Sequence, residues 1–540
     1  MLGWAGPLFI TALGGWLRFA RLSTPRAVVF DETYYVPQAF GILHYGAEHA
    51  VSIFTNNLIP AGQTTNIFTY GGIFAAHPPF GKIQIAAGEW LFGLNPFGWR
   101  FAVAAAGTAS ILMLARIARR MTGSDLLGCI AGSLLALDGL EFVMSRTAML
   151  DIFVMFWALA GFGCLLIDRD HLAGRLAART PGPPAGAGPP AGAGPPAGAG
   201  RQAGAGRQAG AGPPAGPDPP GEPDAPDRPE QPSGDGPGPR LGVRWWRAAA
   251  GICLGLATAS KWNGLYFLVL FVPLCVGWDM VARRAAGYGR YIYGAVFRDG
   301  PMTLMSLWLA AGIAYLATWS GWFGSSIGWD RNYAAEHGVH IPVISALYSL
   351  YEYHLQMLSY NVNLHQPDSY QSQPWTWLAL NHPVPFYYAT LQFGLQGCGQ
   401  LSGCVQYVLA VGTPAIWWAC MAAIPALAIW GVWRRDWRAG AALAGLAAGW
   451  LPWLVFPTRT QFFYYAVSFE PFLILTLTLC LGLIIGPGGA SLWRRIPGMA
   501  ITAGYLVVVA LNFGYLYPVL TGAPISDPAW LARMWMHSWM

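Results

Sequence analysis

The chain has 540 residues, 54% of them apolar and 10% charged, with 26 Trp and a mean hydropathy of +0.39. That excludes a water-soluble domain of ordinary composition and leaves a polytopic membrane protein. The 31 Lys and Arg against 25 Asp and Glu leave a net charge of only +6, spread too thinly for a nucleic-acid partner.

A spanning helix needs about 20 mainly apolar residues. Eleven runs roughly qualify, near residues 3–20, 99–117, 125–144, 149–167, 247–260, 264–280, 302–321, 406–430, 439–456, 462–485 and 498–518. The stretch Pro79–Leu94 is also apolar but short, and with Lys82, Gln84 and Glu89 it reads as a helix lying in the interface. Residues 1–167 thus hold four spans and a first external loop, 21–98. Residues 168–246 form a cytoplasmic loop, and 247–540 hold the remaining spans with a second external loop, 322–405. Between Thr180 and Arg240 the composition turns to Pro, Gly and Ala, with PPAGAG and RQAGAG repeats. Such a segment has almost nothing to bury and should be a disordered tether.

Most basic residues fall on the inner side if the N-terminus is cytoplasmic and the C-terminus external, although Arg18, Arg21 and Arg26 run against that rule. No cleavable signal is visible. Six cysteines (Cys129, Cys164, Cys253, Cys275, Cys420 and Cys480) sit in apolar runs and read as small hydrophobes. Cys398 and Cys404 lie in a polar stretch and suit a disulfide if it is outside the cell.

Ionisable residues in or against a membrane are costly and point to function. On this topology they gather at the outer face: Asp31 and Glu32 in VVFDETYY, Lys82 after HPPFG, Arg100, Arg146 and Asp151 around SRTAMLD, Lys261 in SKWNGLY, and Arg459 in PTRTQFFYY. Acids beside fixed cations describe a site for an anionic lipid headgroup with a general base. Each residue also has a plainer explanation. Asp31 and Glu32 could cap a helix, Arg146 could pair with Asp151, and Lys261 could snorkel to the interface. Asp138 and Glu470, deeper in apolar runs, read as structural hydrogen-bonding groups.

The motifs FDETYYVPQAF, HPPFGK, GWR at Arg100, LDGLEFVMSRTAMLDIF, GLATASKWNGLY, YQSQPWTWLALNHPV, WLPWLVFPTRTQFFYYAVSFEPF and RMWMHSW together resemble the bacterial protein O-mannosyltransferases of the GT-C superfamily. The likeness spans nearly the whole chain except the tether. It implies an all-α polytopic GT-C fold of about eleven transmembrane helices with two large external loops, and a polyprenyl-phosphate mannose donor.

By motif, Asp31 matches the family's catalytic base, with Glu32 beside it. Arg100, Lys261, Arg459, His77 and Lys82 match donor phosphate or headgroup positions, with His77 also shaping the pocket. Arg146, Asp151, Asn263, Tyr464 and Tyr465 would support it. The eukaryotic members' β-trefoil insertion has no room between Trp322 and Tyr407.

The resemblance implies no required cofactor beyond the lipid-linked donor, no metal site, and a divalent ion only as a disfavoured option. It implies Ser/Thr-containing acceptor proteins, met with the secretion machinery at the cell membrane among its lipids. The alternatives are a GT-C transferase with a glycolipid or glycan acceptor, a transporter, or an inactive subunit of a secretion complex. A transporter should show internal repeats and a charged path through the membrane, and neither is visible.

Overall fold

The computed structural model describes residues 2–177, 235–395 and 397–540. Most of the Pro/Gly/Ala tether, expected to be disordered, lies outside the described residues. The fold is mostly helical. Among the described residues, six helices are long and apolar enough to cross a membrane: Pro96–Thr122, Asp151–Leu176, Gly264–Ala285, Tyr291–Ala317, Pro414–Arg434 and Leu492–Thr521. The other five apolar runs are helical too, as Leu2–Phe19, Asp125–Ala136, Trp245–Ser260, Trp437–Trp450 and Glu470–Ile485, but length and composition alone do not make them spans.

Local chemistry sets these boundaries. Asn95 accepts from the amides of Phe97 and Gly98 at 3.1 Å, Pro96 opens the helix, and Gly123 at φ 70° closes it. The run 125–144 is two helices, not one. It breaks at Leu137, and the Asp138 carboxylate caps the second piece through the amide of Leu140 at 2.8 Å. Asp138 also accepts from the Thr413 amide and the Trp417 indole, the structural role expected of it. The run 406–430 begins as a strand and turns helical only at Pro414. Residues 451–455 and 463–468, expected within spans, are 3₁₀ turns.

Two small antiparallel sheets sit in the two long loops. In the first, β1 (His49–Val51) pairs with β2 (Phe68–Gly72). In the second, β3 (Val384–Leu391) pairs with β4 (Cys404–Ala410), with Tyr388 opposite Tyr407, Leu391 opposite Cys404 and a bulge between Pro385 and Tyr387. Cys398 and Cys404 are disulfide-bonded, closing the connection between these strands.

The core is centred on Glu470–Ile485, whose first turns are buried on every side, and on the start of Asp151–Ala177. Asp151–Ala177 packs along Trp245–Ser260. The two helices run in opposite directions, because Asp151 meets Lys261 at one end and Asp168 meets Arg244 at the other. A helix is present where one was expected near Pro79–Leu94, as Phe80–Phe92. It lies so close to the next helix that a Cβ on Gly88 would stand 2.3 Å from the carbonyl oxygen of Gly98, which only glycine permits.

Candidate active site

A cavity of about 420 Å³ opens beside the N-terminus of the Glu32–Tyr45 helix. Its wall includes Asp31, Tyr35, His77, Lys82, Lys261, Arg459, Tyr464 and Tyr465. Residues up to 435 positions apart in sequence therefore meet at one place (Phe30 and Tyr465).

Asp31 holds the N-cap position, but its side chain makes no capping bond. Its Oδ2 instead accepts weak hydrogen bonds from the hydroxyls of Tyr35 (3.3 Å) and Tyr464 (3.4 Å). Burial raises this carboxyl to about 6; Lys261 and the two phenols pull it down, and Asp151 pushes it up. The group is a carboxylate with few partners and a proton affinity near neutrality, suited to accepting a proton.

Glu32, one residue on, is fully buried and points away from the cavity. Its two oxygens accept from Arg100 Nε and Nη2 at 2.8 Å, and from the amides of Val29 and Ala148 at 2.9 Å. Arg100 also donates to the carbonyls of Leu22, Pro25 and Ala27. The structure does not bring Glu32 and Arg100, expected as a catalytic neighbour and a phosphate ligand, to the cavity wall. Consecutive helical residues diverge by about 100°, so two adjacent acids cannot share a face.

Arg146 differs too: it donates to the carbonyls of Leu17, Arg18, Ala20 and Arg21 at the end of the first helix. It leaves Asp151 to Lys261, whose Nζ stands 2.9 and 3.0 Å from the two carboxylate oxygens. Arg100 and Arg146 together tie down the chain leading to Asp31.

Just before Asp31, Phe30 adopts φ 48°, left-handed backbone that an aromatic residue rarely takes. Its ring is held by Phe386, stacked at 4.7 Å, and by Tyr464, edge-on at 5.5 Å.

The cavity's cations are unequal. Lys261 is neutralised by Asp151 and lies 4.2 Å from the centre of the Tyr465 ring. Lys82 is paired with Glu48 at 2.5 Å and donates to the His77 carbonyl at 2.9 Å, shaping the HPPF turn. Burial lowers the Lys82 pKa against the pull of Glu48. Arg459 donates only to the carbonyl and side-chain oxygens of Asn361 and to the Thr460 carbonyl. It makes no ion pair with a carboxylate among the described residues, although Asp368 lines the same cavity, so its charge is available to an anion. Burial holds the His77 imidazole well below its usual range, and Lys261, Lys82 and Arg459 reinforce this, leaving a neutral ring. Asn263 is buried with its amide unpartnered. Among the described residues, no three His, Cys, Asp or Glu side chains gather as a metal cage.

Sequence reasoning missed Tyr35, Asn361 and Asp368, which share the cavity or its partners. Tyr35 stood inside the DETYY motif, one helical turn after Asp31, and that spacing was the available signal.

Two family models match: residues 8–176 match dolichyl-phosphate-mannose-protein mannosyltransferase, and 346–539 match the C-terminal four-transmembrane region of protein-O-mannosyltransferase. A polyprenol-phosphate-mannose–protein mannosyltransferase of Mycolicibacterium smegmatis is 36% identical over 99% of this chain and 93% of its own length. The chain belongs to the protein O-mannosyltransferase family. The correspondingly named protein of Corynebacterium glutamicum is 30% identical over 97% of this chain and 91% of that one. Among solved structures, the S. cerevisiae protein O-mannosyltransferase Pmt1–Pmt2 complex bound to the sugar donor covers 100% of this chain and 93% of its own, with TM-score 0.68 and 13% identity. This mannosyltransferase is thus an all-α membrane protein of the GT-C fold.

Proposed function

We propose that this protein transfers mannose from a polyprenyl-phosphate-linked donor to the hydroxyl of a Ser or Thr in a polypeptide, with Asp31 as general base. The observation that carries the reading is Asp31 itself, an under-bonded carboxylate raised to about 6 in a cavity it shares with an uncompensated Arg459. The donor type follows the names of the relatives.

The acceptor hydroxyl gives its proton to Asp31 as its oxygen bonds to the anomeric carbon. The bond from that carbon to the phosphate oxygen breaks on the opposite face, inverting the centre, and polyprenyl phosphate leaves. Arg459 takes the growing phosphate charge, and Lys261, held in place by Asp151, adds a second fixed positive field. Neutral His77 and the Tyr35 and Tyr464 hydroxyls suit sugar hydroxyls, which both donate and accept. Glu32, Arg100 and Arg146 act by fixing the backbone before Asp31, and Asn263 and Tyr465 support the Lys261 side.

In this reading neutralisation is by fixed cations, so transfer persists in EDTA. The Cys398–Cys404 disulfide supports an external second loop. With it go a cytoplasmic N-terminus, an external C-terminus and a cell-membrane location.

The test is mannose transfer from labelled polyprenyl-phosphate mannose to a Ser/Thr-containing peptide, native protein against Asp31→Asn. Transfer abolished by the substitution is expected. Label passing to lipid instead of peptide would move the acceptor to a glycolipid.

A further inference from the structure

A second cavity, of about 290 Å³, lies between β3 and the C-terminal segment. It shares a wall with the Asp31 cavity at two places. Phe30 lines the first and stacks on Phe386, which lines the second, at 4.7 Å. Asp368 lines the first, and Tyr370, two residues on, lines the second. The β-bulge at Phe386 turns this ring toward Phe30.

The lining has no charged side chain; its rings come mainly from Tyr387, Tyr388, Tyr407 and Trp530. The Tyr407 hydroxyl donates to the Trp539 carbonyl at 2.8 Å, and the Trp530 indole N–H has no partner. The hydroxyls of Tyr387 and Tyr388 have none among the described residues either. Neutral rings with spare hydroxyls fit an uncharged polar chain and are the wrong chemistry for a phosphate headgroup.

Beside this cleft, β3 pairs only with β4, so its outer edge offers unpaired backbone groups among the described residues. The disulfide at Cys404, opposite Leu391, braces that hairpin.

We propose that the open edge of β3 and this aromatic cleft bind the acceptor polypeptide as an added extended strand, holding the residues that flank the Ser or Thr presented to Asp31. The proposal rests on the protein-acceptor reading above and extends it to how the acceptor is gripped. Backbone pairing is indifferent to sequence, while the rings receive alternate side chains, which suits an enzyme with many acceptors.

The test uses the full chain in lipid nanodiscs without donor. Fluorescence anisotropy measures the affinity of a labelled peptide carrying one Ser with several residues on either side. Tyr388→Ala, at an exposed position, is expected to weaken binding about tenfold, and Tyr388→Phe, which keeps the ring, to restore most of it. Methylating alternate amide nitrogens of the peptide in one register should weaken binding, and in the other register should not.

With donor added, Tyr388→Ala should lower the ratio of kcat/KM for the long peptide over a single blocked Ser about tenfold. Affinity and ratio unchanged within twofold in Tyr388→Ala, or methylation that acts without alternation, would overturn the proposal. Displacement of the peptide by a mannose disaccharide alone would overturn it in favour of a glycan. A peptide that binds as described yet receives no mannose would instead sink the catalytic reading, so the two failures are distinguishable.

Discussion

The antiparallel helices Asp151–Ala177 and Trp245–Ser260 carry charge at both ends, about 25 Å apart, and the two ends are built differently. At one, Arg244 spans Asp168 and Asp279, Arg247 meets both acids and Thr303, and these four charges satisfy one another. At the other, Lys261 meets Asp151, but among the described residues neighbouring Asp31 has only two long hydrogen bonds and Arg459 makes no ion pair with a carboxylate. The same residue types serve both places. Saturated pairs fix helices, and unsaturated ones are left to act on something that arrives.

The sharpest way to break this contrast is to remove one acid from each class. Asp31→Asn should lower transfer by about 100- to 10,000-fold with little change in thermal midpoint, since it loses only weak bonds. Glu32→Ala or Asp279→Ala should cost on the order of 3–5 kcal/mol of stability by stranding buried guanidinium groups, seen as a lower unfolding midpoint. If Glu32→Ala kept its midpoint and lost only transfer, the division between the two acids would be wrong.

Arg459→Met should raise the donor KM about 10- to 100-fold, the worth of a charge-assisted contact, with the acceptor KM little changed. The pH profile gives a finer test. The base works ionised, so kcat/KM should rise with pH through about 6, the value to which burial raises Asp31. The smallest effect is expected from Tyr464→Phe, which removes a hydrogen bond that favours the ionised form. Its rising limb should move up by a few tenths of a pH unit; a downward move would contradict the assigned hydrogen bond.

Much of the site was legible because costly residues announce themselves: Asp31, His77, Lys82, Lys261 and Arg459 all line one cavity. The partner of each was not legible, because pairing is decided by helix rotation and packing. Arg146 stood five residues from Asp151 in sequence, yet its guanidinium caps the first helix 125 to 129 positions away. The fold was legible where apolar runs are long. It failed where strand and helix are both apolar: Cys404–Ala410 reads like the start of the span that follows, and Gly412, Thr413 and Pro414 were the only punctuation.

The Asp168–Arg244 contact has a further consequence. It joins the last described helix before the Pro/Gly/Ala repeats to the N-cap of the first helix after them. With Asp151–Lys261 at the opposite end, it pins the helix pair at two points and so fixes both its spacing and its register.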